Sequence, residues 1–384
     1  MDFAITSYQQ SLYDSALRFS QEVLDKGAAT RLSKHVFDKP LWQKAAEFGF
    51  AGLPIDEMYC GSGLNVQNTM LMVEALGKGS RDLGLAFSMC AHLFACVMPL
   101  ARFGSTYLKQ TYLEALSTGG MIAANAATEP TAGSDIYAMA ATAKKVDGGY
   151  LLNGQKTFIT NAPVADVFIV YAKTAPEFGF MGVSCFLVEK SAAGLSVGAN
   201  HPKDCLSTCP WSDVFFDDVF VPETHLIGSE GAGGAIFHDS MIWEKGCLFA
   251  LFAGALERIV ESTIEYAKER KQFKKRIGHF QSVSNRIIDM KLRLEQCKLM
   301  LYRAGWKYDQ GLDAEMDIAM SKMLISDYAV QSALDAIQTF GGSAMDREMG
   351  IIRQLLDVLP SRTFSGTNDI QREIIARKLG LRSA

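Results

Sequence analysis

Glu244 and Lys245 sit as a charged pair inside an apolar stretch of helical period, HDSMIWEKGCLFALFAGAL, residues 238–256. A carboxylate in such surroundings loses its water, which raises its pKa and makes it a better proton acceptor once a substrate arrives. The plain alternative is a structural ion pair. A second candidate is AATEPTAGSD (126–135), where the hydroxyls of Thr128, Thr131 and Ser134 and the bare backbone of Gly133 suit a polar ligand approached closely. Taken alone it also reads as a surface turn. KTFITNA (156–162) sets the aromatic Phe158 and the hydroxyl of Thr160 two apart, on one face of a strand. RKQFKKRIGHFQ (270–281) joins an Arg to two Gln at a helix end, and QTFGGSAMDRE (338–348) places paired glycines after a helix. Finally, Ser365-Gly366-Thr367-Asn368 opens directly into a helix, and a helix N-terminus seats anions.

Three kinds of element must position these residues. Up to residue 118, apolar residues recur at three and four, the signature of helices. One helix is predicted from Tyr8 to Ala29, a second over 39–53, and further helices from Val66 to 119. Residues 119–230 change to short β-rich runs between turn residues, such as YLLNGQKTFIT, ADVFIVYAKT and VFFDDVFVP, which predict an antiparallel barrel or sandwich. From 231 to 384 the helical period returns, with long helices over 235–269, 280–310, 314–340 and 367–379 forming a four-helix bundle.

With 48% hydrophobic residues and a net charge of −4, the chain can bury a large core and carries no global basic field, so nucleic acid is not an expected partner. The uncharged run 83–101 is long enough to span a membrane, but Gly84, Ser88, His92 and Pro99 make a buried core helix the better reading, so no membrane is expected. The N-terminus lacks the pattern of a signal peptide, which points to the cytoplasm. The eight cysteines lie mostly in apolar runs, as reduced thiols do. Cys205 and Cys209 have no second ligand pair, so no metal is predicted.

Together the motifs resemble the acyl-CoA dehydrogenase family over essentially the whole length. The resemblance rests on TEPTAGSD, NGQKTFITNAPVADVFIVYAKT, FFDDVFVP, RKQFKKRIGHFQ, QTFGGSA and GTNDIQREIIARKLG, all in family order. It implies an α+β multidomain fold of N-terminal helices, central β-domain and C-terminal four-helix bundle, assembled as a homotetramer with FAD at the subunit interfaces. Carried over by motif, Asn125, Ala127, Thr128 and Ser134 line the flavin and its phosphates, and Phe158 and Thr160 lie against its ring. Arg270, Phe273, Gln281, Gln338 and Gly342 approach the dinucleotide from a neighbouring subunit. Thr367 and Asp369 belong to the turn that seats its phosphate or ribose.

The family reaction removes an α-proton from a thioester with a carboxylate while the β-hydrogen leaves as hydride to flavin N5. Many members keep that Glu at the position matched here by Ser365, whose hydroxyl is no base at neutral pH. Isovaleryl- and long-chain-type members place it where Glu244 stands, which makes Glu244 the expected base, with the backbone N–H of residue 365 binding the thioester oxygen. Near the base the family often has Asp two residues before and Arg one after; here these are Ile242 and Lys245, which weakens the case for coenzyme A itself. The pieces DVLPSRTFSGTNDIQREIIARKLGLRS, HDSMIWEKGCL and PKDCLSTCPWSDVFF most resemble dehydrogenases of prodigiosin- and anatoxin-type antibiotic and toxin pathways, which oxidise L-proline held as a thioester on an acyl or peptidyl carrier protein toward a pyrroline or pyrrole. That resemblance implies a carrier protein as partner and an electron-transfer flavoprotein or oxygen as acceptor. The other expectations are a short- or branched-chain acyl-CoA dehydrogenase and, from a different class, a flavin-binding scaffold without catalysis.

Overall fold

The computed structural model describes residues 4–382. Its first part is helical: α1 (Ser7–Phe19), α2 (Ala28–Lys34), α3 (Lys39–Glu47), α4 (Val66–Gly79), α5 (Leu83–His92), α6 (Met98–Phe103) and α7 (Thr106–Ser117). Side chains that can accept a hydrogen bond mark many of the starts. Thr6 forms a capping box with Gln9, and Asp38, Asn65, Asp82 and Ser105 each accept a backbone N–H two or three residues into the following helix. The single helix expected over Tyr8–Ala29 is instead α1, a π-helical turn over Ser20–Leu24, and then α2. Gly27 adopts φ 72° between them, a left-handed conformation that ends a helix.

The run from Leu83 to Phe103 is one helical column, and 94% of its apolar window is buried inside the fold. Its middle, Leu93–Val97, is a π turn. All eight cysteines are unpaired thiols, buried except for Cys60 and Cys205.

The centre is one eight-stranded sheet in the order β6-β7-β3-β2-β4-β5-β8, with β1 added to β4. Its strands are β1 (Ala123–Ala126), β2 (Thr142–Val146), β3 (Gly149–Thr160), β4 (Val167–Lys173), β5 (Val183–Glu189), β6 (Leu195–Val197), β7 (Trp211–Pro222) and β8 (Leu226–Ile227). The sheet is mixed rather than wholly antiparallel, because β1 pairs with β4 in parallel over four residues and β2 meets β4 in parallel at Thr142. Strand β4 is buried on both faces. Val167, Ile169 and Tyr171 join the large helical core, while Phe168, Val170 and Ala172 join the sheet's own core. A strand covered twice reads as a continuous apolar run rather than an alternating one, which VFIVYA does.

The last part carries α8 (Gly233–Trp243), a π turn over Glu244–Leu248, α9 (Phe249–Glu269), a hairpin of β9 (Lys271–Gln272) and β10 (Lys275–Arg276), α10 (Gln281–Asp309), α11 (Glu315–Phe340), α12 (Ile351–Val358) and α13 (Asn368–Lys378). Helix α12 has no counterpart among the predicted helices, since eight residues are too few to display a helical period against flanking turns. Helix α9 is the axis of the core, fully buried from Phe249 to Leu256. It crosses α4 at van der Waals contact through reciprocal glycines. A Cβ on Gly77 would lie 1.9 Å from the Leu251 carbonyl oxygen, and one on Gly254 would lie 1.9 Å from that of Glu74. Gly77→Ala is therefore expected to push α9 off α4 and destabilise the protein by about 1–3 kcal/mol. Thermal melting of the variant checks this, and an unchanged midpoint would contradict the close crossing.

Candidate active site

One cavity of about 620 Å³ lies between the sheet and the helices. Its sheet side is made by Asn125 on β1, by Ala127, Thr128, Gly133 and Ser134 on the loop that follows, and by Phe158 and Thr160 near the end of β3. The Asn125 side-chain oxygen is buried and has no hydrogen-bond partner among the described residues, so it awaits a donor. A Cβ on Gly133 would meet nothing within 4 Å, which leaves open space beside the loop backbone.

Phe158 and Thr160 both reach the cavity, but not by simple strand alternation. A register shift between Lys156 and Ile159 forms a bulge against β7, and Phe158 takes φ 57° within it. The bulge re-aims the ring, which stacks on Trp211 at 4.9 Å between centroids and 26° between planes and stays 56% exposed. A flat aromatic pair left open in this way offers a platform for a planar ring.

The 127–134 loop is held from beneath by an ion pair that the residue pattern did not reveal. Lys156 is fully buried, and its Nζ donates to the Ala127 carbonyl at 3.0 Å and to Glu129 Oε1 at 2.7 Å. Glu129 in turn accepts the backbone N–H groups of Ala140 and Ala141.

The helical side is made by Phe87, by Phe237, Met241 and Glu244 along α8 and its π turn, and by the segment Pro360–Thr367. Glu244 begins the π turn and is 9% exposed. Burial holds its carboxyl above the ordinary carboxylate range, opposed by a hydrogen bond from Ser365 and by the charge of Lys245. Lys245 makes no ion pair with it among the described residues, as adjacent helical residues point to different faces. The Ser365 hydroxyl donates to Glu244 Oε1 across 121 positions of sequence, a contact that reasoning from the sequence missed. Phe364 beside it packs on Phe87, Phe249 and Phe252, with centroids 4.9 to 5.6 Å apart. This aromatic wall closes the cavity next to the carboxylate.

The turn into α13 is fixed from several sides. Ser365 and Gly366 adopt φ 53° and 78°. The Gln371 side chain, wholly buried, donates to the carbonyls of residues 365, 366 and 367, and Thr367 caps the helix by accepting from Ile370 N–H. Below it, Asn368 accepts from Lys322 at 2.7 Å and from Ser326 at 3.0 Å.

Six of the residues named from the sequence lie outside this cavity. Asp369 points outward and pairs with Arg372. Arg270 ends α9, Phe273 projects from the β9–β10 hairpin at 87% exposure, Gln281 begins α10, and Gln338 and Gly342 flank the end of α11, all of them exposed. A single chain does not bring these groups to the cavity.

A helix–sheet–helix chain with a cavity lined by both a buried carboxylate and an open aromatic pair defines the class. The chain belongs to the acyl-CoA dehydrogenase family: its residues 6–120, 124–219 and 231–380 match the N-terminal, middle and C-terminal domains of acyl-CoA dehydrogenases. Within the family it is 67% identical over 382 residues to an L-prolyl-[peptidyl-carrier protein] dehydrogenase of Serratia sp., covering 100% of this chain and 99% of the relative. Among solved structures it superposes on PigA with FAD and proline with a TM-score of 0.99 at 67% identity, both chains being covered completely. It superposes on the prolyl acyl carrier protein oxidase AnaB with a TM-score of 0.96 at 39% identity, over 98% of this chain and 100% of the other.

Proposed function

We propose that the protein is an FAD-dependent dehydrogenase of an L-prolyl thioester borne on a peptidyl or acyl carrier protein, with Glu244 as its base. One observation carries the reading: the buried Glu244 carboxylate, lining the same cavity as Phe158, lies in a chain 67% identical over its full length to an L-prolyl-carrier-protein dehydrogenase. The cavity fits the cofactor. The unpartnered oxygen of Asn125, the open backbone at Gly133, the hydroxyls of Thr128 and Ser134, and the Thr367 turn are polar groups suited to its ribityl and phosphate parts, while Phe158 and Thr160 would flank its ring. FAD, when bound, supplies the acceptor for the hydride that leaves the β-carbon.

Everything else is done by the chain. Glu244 takes the prolyl α-proton, a role that demands a carboxylate ionised yet poorly solvated. The backbone N–H of Ser365 is the donor for the thioester oxygen as negative charge develops there. The Phe87–Phe364 wall excludes water and favours a compact apolar ring beside the base. The ring so desaturated tautomerises to a pyrroline. Ile242 and Lys245, where acidic and guanidinium contacts to coenzyme A are frequent in the family, agree with a substrate whose carrier replaces the nucleotide.

The exposed Phe273, Gln281, Gln338 and Gly342, with Arg270, are assigned to the cofactor of a neighbouring subunit in a homotetramer, and Asp369 to the outer edge of the phosphate-seating turn. An electron-transfer flavoprotein or oxygen would reoxidise the cofactor, and the cytoplasm is the expected compartment. Anaerobic mixing with prolyl-loaded carrier should bleach the flavin, whereas a panel of short and branched acyl-CoAs should not. Bleaching by acyl-CoAs and never by the prolyl carrier would overturn the assignment of the substrate.

A further inference from the structure

We propose that Ser365 is a positioning residue for Glu244: its hydroxyl engages Oε1 and so turns the remaining carboxylate oxygen toward the substrate's α-proton. The inference rests on the reading of Glu244 as base. Oε1 accepts from Ser365, and Oε2 receives no hydrogen bond among the described residues, so in a side chain that lines the cavity the second oxygen is left without a protein donor.

The backbone at this position argues that the side chain is there for a purpose. Ser365 is held at φ 53°, a conformation in which glycine would be unstrained and serine is not. The Gln371 amide and Gly366 lock that turn, and a Cβ on Gly366 would fall 2.9 Å from Gln371 Nε2. The hydroxyl is thus presented by a rigid support, which is what fixes a second group to within a fraction of an ångström.

The other charged or titratable groups around Glu244 do not duplicate this role. Lys245, next on the same turn, acts by charge alone, and the charges of Glu315 and Lys322 of α11 bear on Lys245, not on the carboxylate. Cys96, from the π turn of Leu93–Val97, is a thiol whose ionisation is suppressed by burial and by the Glu244 charge, and burial and the charges of Asp309 and Cys90 of α5 do the same to Cys247. Ser365 is therefore the neutral donor that stabilises the ionised base against the desolvation of its site.

The test is Ser365→Gly, which removes the hydroxyl while suiting the left-handed backbone. The rate of flavin bleaching by prolyl carrier is followed against pH in the holoenzyme of the wild type, of this variant and of Glu244→Gln. The acid limb of the Ser365→Gly profile should move up by about one pH unit, a roughly tenfold loss at acid pH that shrinks toward alkaline pH. Infrared titration of the Glu244 carboxyl stretch, identified by its absence in Glu244→Gln, should show the same upward shift without any turnover. If the profile and the infrared midpoint of Ser365→Gly coincide with those of the wild type while Glu244→Gln is silent, the inference about Ser365 is wrong. A shift of the rate profile without a matching shift of the Glu244 infrared midpoint overturns it as well. If Glu244→Gln itself bleaches normally, it is the underlying assignment of the base that fails.

Discussion

Glu244→Gln should purify with FAD bound and fail to bleach it, the rate of flavin reduction by prolyl carrier falling about 10²–10⁴-fold, the usual contribution of a positioned general base. Glutamine preserves the volume and can still accept from Ser365, so the loss isolates basicity rather than packing. Stability should move the other way. Burial raises the folded-state pKa of Glu244 above its unfolded value, so the ionised side chain is worse accommodated in the fold than in the unfolded chain. Whatever stability the protonated form enjoys is present at acid pH and lost as pH rises through the folded pKa. The glutamine variant has no charge to bury, so its advantage in melting temperature over the wild type should be absent at low pH and grow toward neutrality. A variant that reduces flavin at the wild-type rate would remove Glu244 from the chemistry. One equally stable at every pH would contradict the cost of burying its charge. An active-site group that destabilises its own fold is a common trade between stability and activity.

The parts of this architecture that were legible in the sequence are the ones written locally. Apolar residues at helical spacing placed α10, α11 and α13 to within a few residues. Glu244 stood out because a carboxylate in an apolar helical run is chemically conspicuous. What stayed hidden depends on pairs far apart in the chain. The Ser365–Glu244 contact spans 121 positions and the Lys156–Glu129 pair spans 27, and neither leaves a periodic trace. The bulge that turns Phe158 onto Trp211 was likewise invisible, since the two-residue spacing of Phe158 and Thr160 is what one face of an unbulged strand would also show. The π turn at Glu244–Leu248 leaves the helical spacing around it intact on both sides, so its position at the base could be read only from the backbone.

The second large effect is expected far from any reacting atom. Lys156→Met should lower stability by roughly 3–5 kcal/mol, the cost of breaking a buried ion pair by removing one partner. Lys156 and Glu129 are both shielded from solvent, so the carboxylate left behind would have neither counter-charge nor water. It would keep only the N–H groups of Ala140 and Ala141, and the Ala127 carbonyl would lose its donor. These contacts tie β3 to the loop carrying Ala127, Thr128, Gly133 and Ser134, so the damage should fall on the cofactor side of the cavity before it reaches the helices. The variant is therefore expected to melt at a lower temperature and also to retain less FAD through gel filtration, while Glu244 stays in place. Adding Glu129→Gln to Lys156→Met removes the stranded charge and should restore part of the lost stability, a non-additivity expected only of groups in direct contact. If the single variant keeps both its melting temperature and its flavin, the pair does not support the loop. If it loses stability but the double variant recovers none, then the loss comes from the packing of the Lys156 side chain and not from its charge.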